Sequence, residues 1–250
     1  MVKEEIWVRS SVDETEQPSL FFRARGEKRP LIVGLHTWSF NRENQIANLL
    51  PIAEEWDFNL LLPEFRGPNT KGNPNGTLAC GSPTAKADIK DAIDYVVANE
   101  RIDKENIFLV GLSGGGHMAL LMAGFIPEYF RAIAAFVPIS DLAKWRKENP
   151  SYAPSIDYCT GGGTHELALR SPISYIDTVA KANLKLFHGK YDSCVPVRQS
   201  IEFYTRLTEK YPTSRVFLDI FDGGHQFVPA LFKTWITSQY KKTEVKTVTG

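Results

Sequence analysis

The sequence predicts an α/β fold of three layers, with a mostly parallel sheet held between two sets of helices. Two patterns carry that prediction. Short unbroken apolar runs recur along the 250 residues, and amphipathic stretches of helical length separate them. A strand that is apolar at every position is buried on both faces, and strands that alternate with helices pair in parallel.

Taken in order, Ile6-Trp7-Val8-Arg9 and Leu20-Phe21-Phe22-Arg23 read as two strands around a polar, proline-containing turn over 13–19. Residues 31–35 form the first fully apolar run, followed by a helix over 46–56 and a buried strand over 58–62. Ser82-Pro83 supplies an N-cap and a proline at the first helical position. The helix behind it carries Asp88, Asp91 and Asp94 along one side, which reads as a solvated face, and Ile89, Ile93 and Val96 along another. Further strands fall at 107–110, 132–137, 184–187 and 216–220, with helices at 118–125, about 197–210 and about 228–240. Residues 141–175 break the alternation with aromatics, prolines and Gly161-Gly162-Gly163, and read as a loop-rich cap. About 241–250 reads as a loosely ordered tail on a single domain.

Bulk composition narrows the function classes. Lysine and arginine number 29, as do aspartate and glutamate, so no excess charge recruits nucleic acid or an anionic membrane surface. No stretch approaches the roughly 20 apolar residues that span a bilayer. The opening Met1-Val2-Lys3-Glu4-Glu5 lacks the apolar core of a signal peptide, leaving a cytoplasmic protein, a processed form or an excised domain as readings. Three cysteines without metal-ligand spacing argue against a disulfide framework, although a Cys80–Cys159 bridge between two loops stays open.

Gly111-Leu112-Ser113-Gly114-Gly115 matches Gly-x-Ser-x-Gly, placed between a buried strand and an apolar helix. That setting makes the serine a candidate nucleophile on a tight, strained turn, its hydroxyl exposed beyond the end of the sheet. A serine hydroxyl needs a base. Of five histidines, His225 in Asp222-Gly223-Gly224-His225 follows the last strand on a glycine turn and is the candidate base. His117 reads as core or support and His188 as a packing or locally bonded residue, while His36 ends the first buried strand and His165 lies in the cap. Asp192, in the turn after the strand ending Phe187-His188-Gly189, is the candidate carboxylate, with Asp219 and Asp222 as rivals. For an oxyanion the candidate donors are the N–H of Gly114 and of Trp38, in the loop His36-Thr37-Trp38, with Thr37 second. Thr37 and Trp145 are the candidate substrate-binding residues.

On these residues the chain resembles the α/β-hydrolase superfamily. The order Ser113, Asp192, His225 is that of the superfamily. Gly-Leu-Ser-Gly-Gly-Gly-His, Phe-His-Gly-Lys-Tyr-Asp-Ser-Cys-Val-Pro and Asp-Gly-Gly-His are similar to its prolyl-oligopeptidase-like branch. The resemblance implies an eight-stranded, mostly parallel sheet, no cofactor, and peptidases or stand-alone carboxylesterases as relatives. Where that branch usually has His-Gly-x, this chain has His36-Thr37-Trp38. The indole is expected to narrow the acyl side and favour short acyl groups. The expected function is a carboxylesterase acting on a small-molecule or saccharide ester, Trp145, Tyr152 and Tyr158 being available to stack on sugar or phenolic rings. An oligopeptidase is the second reading, disfavoured because the chain lacks a propeller; a non-catalytic ligand-binding member of the fold is the third. A metal site from His188, Asp192 and His225 explains these residues less well than a serine elbow does.

Overall fold

The computed structural model describes residues 1–241. The expected tail falls, beyond Lys241, outside the described residues. Among these, eight strands form one sheet: β1 (Val2–Arg9), β2 (Glu16–Arg23), β3 (Arg29–Leu35), β4 (Asn59–Pro63), β5 (Ile102–Leu112), β6 (Ala132–Phe136), β7 (Leu184–Gly189) and β8 (Val216–Phe221). Their order across the sheet is β1-β2-β4-β3-β5-β6-β7-β8. β1, β2 and β4 pair antiparallel, and every pairing from β4 to β8 is parallel.

The unbroken apolar runs are explained by the layers. Leu31 and Val33 of β3 face one core together with Leu109 of β5 and Ile133 of β6. Ile32, Phe108, Ala132 and Ala134, the alternate positions, face the other. A strand side chain alternates between faces, so a strand covered on both sides has no position for a polar residue. The helices are α1 (Ile46–Trp56), α2 (Pro83–Asn99), α3 (Gly114–Phe125), α4 (Leu142–Glu148), α5 (Ala153–Thr160), α6 (Thr164–Leu169), α7 (Ile176–Val179), α8 (Arg198–Lys210) and α9 (Pro229–Gln239). α1 and α9 cover one face through Leu49, Ile52, Phe232 and Ile236. α2, α3, α7 and α8 cover the other through residues such as Ile89, Leu120, Val179 and Phe203. The Ser82 hydroxyl accepts from the Ala85 N–H at 3.0 Å, so α2 begins where the sequence placed it.

Three expectations are corrected. β2 starts at Glu16, inside the stretch expected as a turn, because Pro18 lies outside the ladder with β4, whose register begins at Ser19–Pro63. The cap is helical rather than loop-rich. Asp141 caps α4 by accepting from Lys144 N–H at 3.0 Å, and Gly161 ends α5 at φ 68°, short elements that reveal no long period. The acidic side of α2 is not wholly solvated either. Asp88 is buried, where it binds Arg66 Nε at 2.5 Å and the Ser10 hydroxyl at 2.6 Å, beneath the end of β1 and the loop after β4.

That buried pair sets a test. Asp88→Ala strips Arg66 of a partner inside the protein while Asp13 still holds it, at 2.8 Å. Urea unfolding of Asp88→Ala is expected to show a loss of about 3 kcal/mol, against less than about 1 kcal/mol for the exposed pair Arg9–Glu14 cut at Glu14.

Candidate active site

β5 stops at Leu112 and α3 begins at Gly114, leaving Ser113 alone to turn the chain. It does so at φ 58° and ψ −117°, a conformation that costs a non-glycine residue about 1–3 kcal/mol. The turn is held by the Ser113 N–H donating to Phe136 O at 2.9 Å and its carbonyl accepting from His117 N–H at 2.8 Å. A Cβ on Gly111 would stand 2.0 Å from Gly115 O, so only glycine lets the helix start so close to the strand. Ser113 therefore sits at the carboxyl edge of the sheet, on the N-terminus of α3, where unpaired backbone N–H groups and the helix dipole favour negative charge.

Asp192 follows β7 and His225 follows β8, and the structure brings them together. His225 Nδ1 lies 2.7 Å from Asp192 Oδ2. The other carboxylate oxygen accepts the N–H groups of Cys194 and Val195, both at 2.8 Å, which locks the carboxylate plane. The rivals are placed elsewhere. Asp219 faces Lys185 Nζ at 3.3 Å, and Asp222 is exposed in the glycine turn. With Nδ1 donating to Asp192, the Nε2 of a neutral His225 carries a lone pair.

The other histidines have structural partners. His117 Nε2 donates to Arg170 O at 2.6 Å, and complete burial pulls its pKa down to about 4. His188 is buried between the Ser200 hydroxyl at 2.7 Å and Val195 O at 2.8 Å, with its pKa also lowered by burial. His165 is exposed on α6.

β3 is the neighbour of β5, so the loop after β3 lies beside the serine turn. There a Cβ on Gly114 would come within 2.5 Å of Trp38 N, which measures how closely the two candidate donors approach. The Thr37 N–H is taken by Asn44 Oδ1 at 3.1 Å, which leaves Trp38 rather than Thr37 to offer an N–H. His36 is the residue sequence reasoning undervalued. Its Nδ1 donates to Thr37 O at 3.0 Å, and Thr37 C=O shares a rigid peptide plane with Trp38 N–H. Stacking on Phe65, with ring centroids 3.8 Å apart, holds the imidazole in place.

The two indoles expected to face substrate are both packed into the cap. Trp38 is 2% exposed, its indole turned under the cap against Trp145, with ring centroids 5.1 Å apart. Trp145 is fully buried and spends its indole N–H on Cys194 O at 3.0 Å, leaving no face for a substrate ring. Both belong to the cap's own core with Leu142, Ile156 and Val195. Cys80 and Cys159 lie in the same cluster as free thiols, and burial pushes the Cys80 thiol up.

Among known proteins, the sequence matches the prolyl oligopeptidase family over residues 41–244. It is 29% identical over 174 residues to the acylamino-acid-releasing enzyme of Mus musculus, covering 64% of this chain and 24% of that one. Acylamino-acid-releasing enzyme 1 of Oryza sativa is 27% identical over 204 residues, 72% of this chain and 25% of that one. The chain thus spans about a quarter of the length of these curated relatives. Of solved structures, the acylaminoacyl peptidase of Pyrococcus horikoshii superposes with a TM-score of 0.76 at 22% identity, over 97% of this chain and 42% of that one. An esterase of Pyrococcus furiosus superposes at 0.71 with 18% identity, over 95% of this chain and 89% of that one.

His117 makes the pH response of the fold testable. Its folded pKa of about 4 lies below the ordinary 6.5, so the unfolded chain takes up a proton that the folded chain refuses. Stability is therefore lost as pH falls from about 6.5 towards about 4, by on the order of 3 kcal/mol from this residue. His117→Gln, which keeps a donor for Arg170 O, is expected to show a shallower fall in urea midpoint over that window, His188 retaining its part. Parallel curves would contradict the assignment.

Proposed function

The chain belongs to the prolyl oligopeptidase family, serine hydrolases of the α/β-hydrolase fold, and we propose that it hydrolyses carboxylic esters through an acyl-enzyme on Ser113. The observation that carries this reading is the 2.7 Å bond between Asp192 and His225 on the sheet edge that also presents the strained Ser113 turn. In this mechanism His225 Nε2 removes the Ser113 proton as Oγ attacks the ester carbonyl. Asp192 keeps Nδ1 protonated and stabilises the imidazolium that results. The Gly114 and Trp38 N–H groups take the oxyanion charge, a contribution of about 3–4 kcal/mol for one such donor. His225 then returns the proton to the leaving alcohol; a water, deprotonated by the same imidazole, attacks the acyl carbon, and as the acyl–Oγ bond breaks to release the acid the imidazolium returns the proton to Ser113 Oγ.

An ester substrate is supported by the structural likeness to the Pyrococcus furiosus esterase, at a TM-score of 0.71. The curated relatives favour a second reading, release of an N-acylated amino acid from a peptide, with the same residues in the same roles. Trp145 is buried and lends no ring to a carbohydrate or phenolic substrate, while Tyr152 and Tyr158 stay partly exposed in the cap.

One panel separates the two readings: p-nitrophenyl acetate and butyrate against N-acetyl-alanyl p-nitroanilide. Esters are expected to give the higher kcat/KM by at least about tenfold after correction for the rates of the uncatalysed reactions. Comparable or greater turnover of the anilide would assign the chain to the peptidase reading instead.

Replacing the nucleophile tests both together. Ser113→Ala is expected to lose on the order of 10⁴ or more in kcat, and Asp192→Asn on the order of 10⁴. Near-wild-type activity in Asp192→Asn would remove that carboxylate from the mechanism.

A further inference from the structure

We propose that Ser155, on cap helix α5, is a positioning residue for the oxyanion loop, acting through the Trp38 side chain; this rests on the assignment of Trp38 N–H as an oxyanion donor. The Trp38 Nε1–H donates to Ser155 Oγ at 3.0 Å. Ser155 Oγ in turn donates to Tyr152 O at 2.9 Å, which aims its proton away and leaves a lone pair towards the indole. The ring is clamped edge-on by Trp145 at 5.1 Å and by Tyr152 at 6.4 Å. A tryptophan has only two side-chain torsions, so a ring fixed at its far end also fixes its Cα.

The backbone of the loop is tied from the sheet side. His36 holds Thr37 O, and Asn69 N–H donates to Trp38 O at 2.7 Å. These two bonds set the peptide planes before and after Trp38, while the indole sets the residue against the cap. An oxyanion donor works within a narrow range of about 2.7–3.1 Å, so a shift of a few tenths of an ångström at Trp38 is felt in the transition state. The bond to Ser155 thus makes cap position a determinant of catalytic rate.

The test compares Ser155→Ala, Ser155→Thr and Trp38→Phe, with p-nitrophenyl butyrate as substrate and a trifluoromethyl ketone as the tetrahedral-adduct inhibitor. Ser155→Ala is expected to lower kcat about three- to tenfold with KM within about twofold, and to weaken inhibitor binding by a similar factor. Ser155→Thr, which restores the hydroxyl, is expected to recover most of the loss. Trp38→Phe combined with Ser155→Ala is expected to be no worse than the poorer single variant, since both cut one bond. Unchanged kcat in Ser155→Ala overturns the proposal, as does a rise in KM alone, which marks a substrate contact, or failure of threonine to rescue. Fluorophosphonate labelling of the wild-type protein separates this failure from a deeper one. Labelled Ser113 with a silent Ser155→Ala refutes the coupling alone; an unlabelled Ser113 refutes the nucleophile on which it rests.

Discussion

The corner between β5 and α3 is built from main chain packed against main chain, and the rest of the site is arranged around it. Side chains are absent where the helix start meets its neighbours: Gly111 faces Gly115 O, Gly114 faces Trp38 N, and Gly116 faces Phe136 O. Removing Cβ atoms lets α3 begin one residue after the strand ends. Ser113 must then take up a positive φ, and the surrounding bonds to Phe136 and His117 hold it there. The same closeness brings the first N–H of α3 beside the loop after β3. The proposed nucleophile and oxyanion donors are thus products of one packing constraint.

Sheet order distributes the remaining roles. With β3 on one side of β5 and β6 to β8 on the other, the oxyanion loop reaches Ser113 from one flank and the Asp192–His225 pair from the other. Asp192 reaches that pair already oriented, since two backbone N–H groups hold its other oxygen. The imidazole therefore meets a carboxylate with little freedom left to lose, which is the economy on which preorganised catalysis depends.

Much of this was legible in the chain because its signals are local. Most of the strands appear as short, mainly apolar runs, and in β3, β4 and β6 the run carries its own evidence of burial on both faces. Ser113, Asp192 and His225 each stand in a short turn directly after such a run, so topology alone carries all three to one edge. Long-range pairings left no such mark. Asp88 sits in a regular acidic stripe, and nothing near it announces Arg66, which stands 22 residues earlier in the chain. The indole of Trp38 read as a lining group because sequence does not say which way a loop side chain turns; its partner Ser155 lies 117 residues away. The cap helices were missed since pieces of six to eight residues are too short to show a period.

The cap's buried core has a consequence for how this protein can vary. Trp145 and Asn149 both donate to Cys194 O, two residues after Asp192, and the same core contains the Trp38 ring. The cap is therefore not an exchangeable accessory laid over a finished enzyme. Its inner face is shared with the segments that hold the acid and the oxyanion loop, so a cap transplanted from a relative has to travel with both. Only its outward face is free to diversify, and recombination in this family is bounded by that seam.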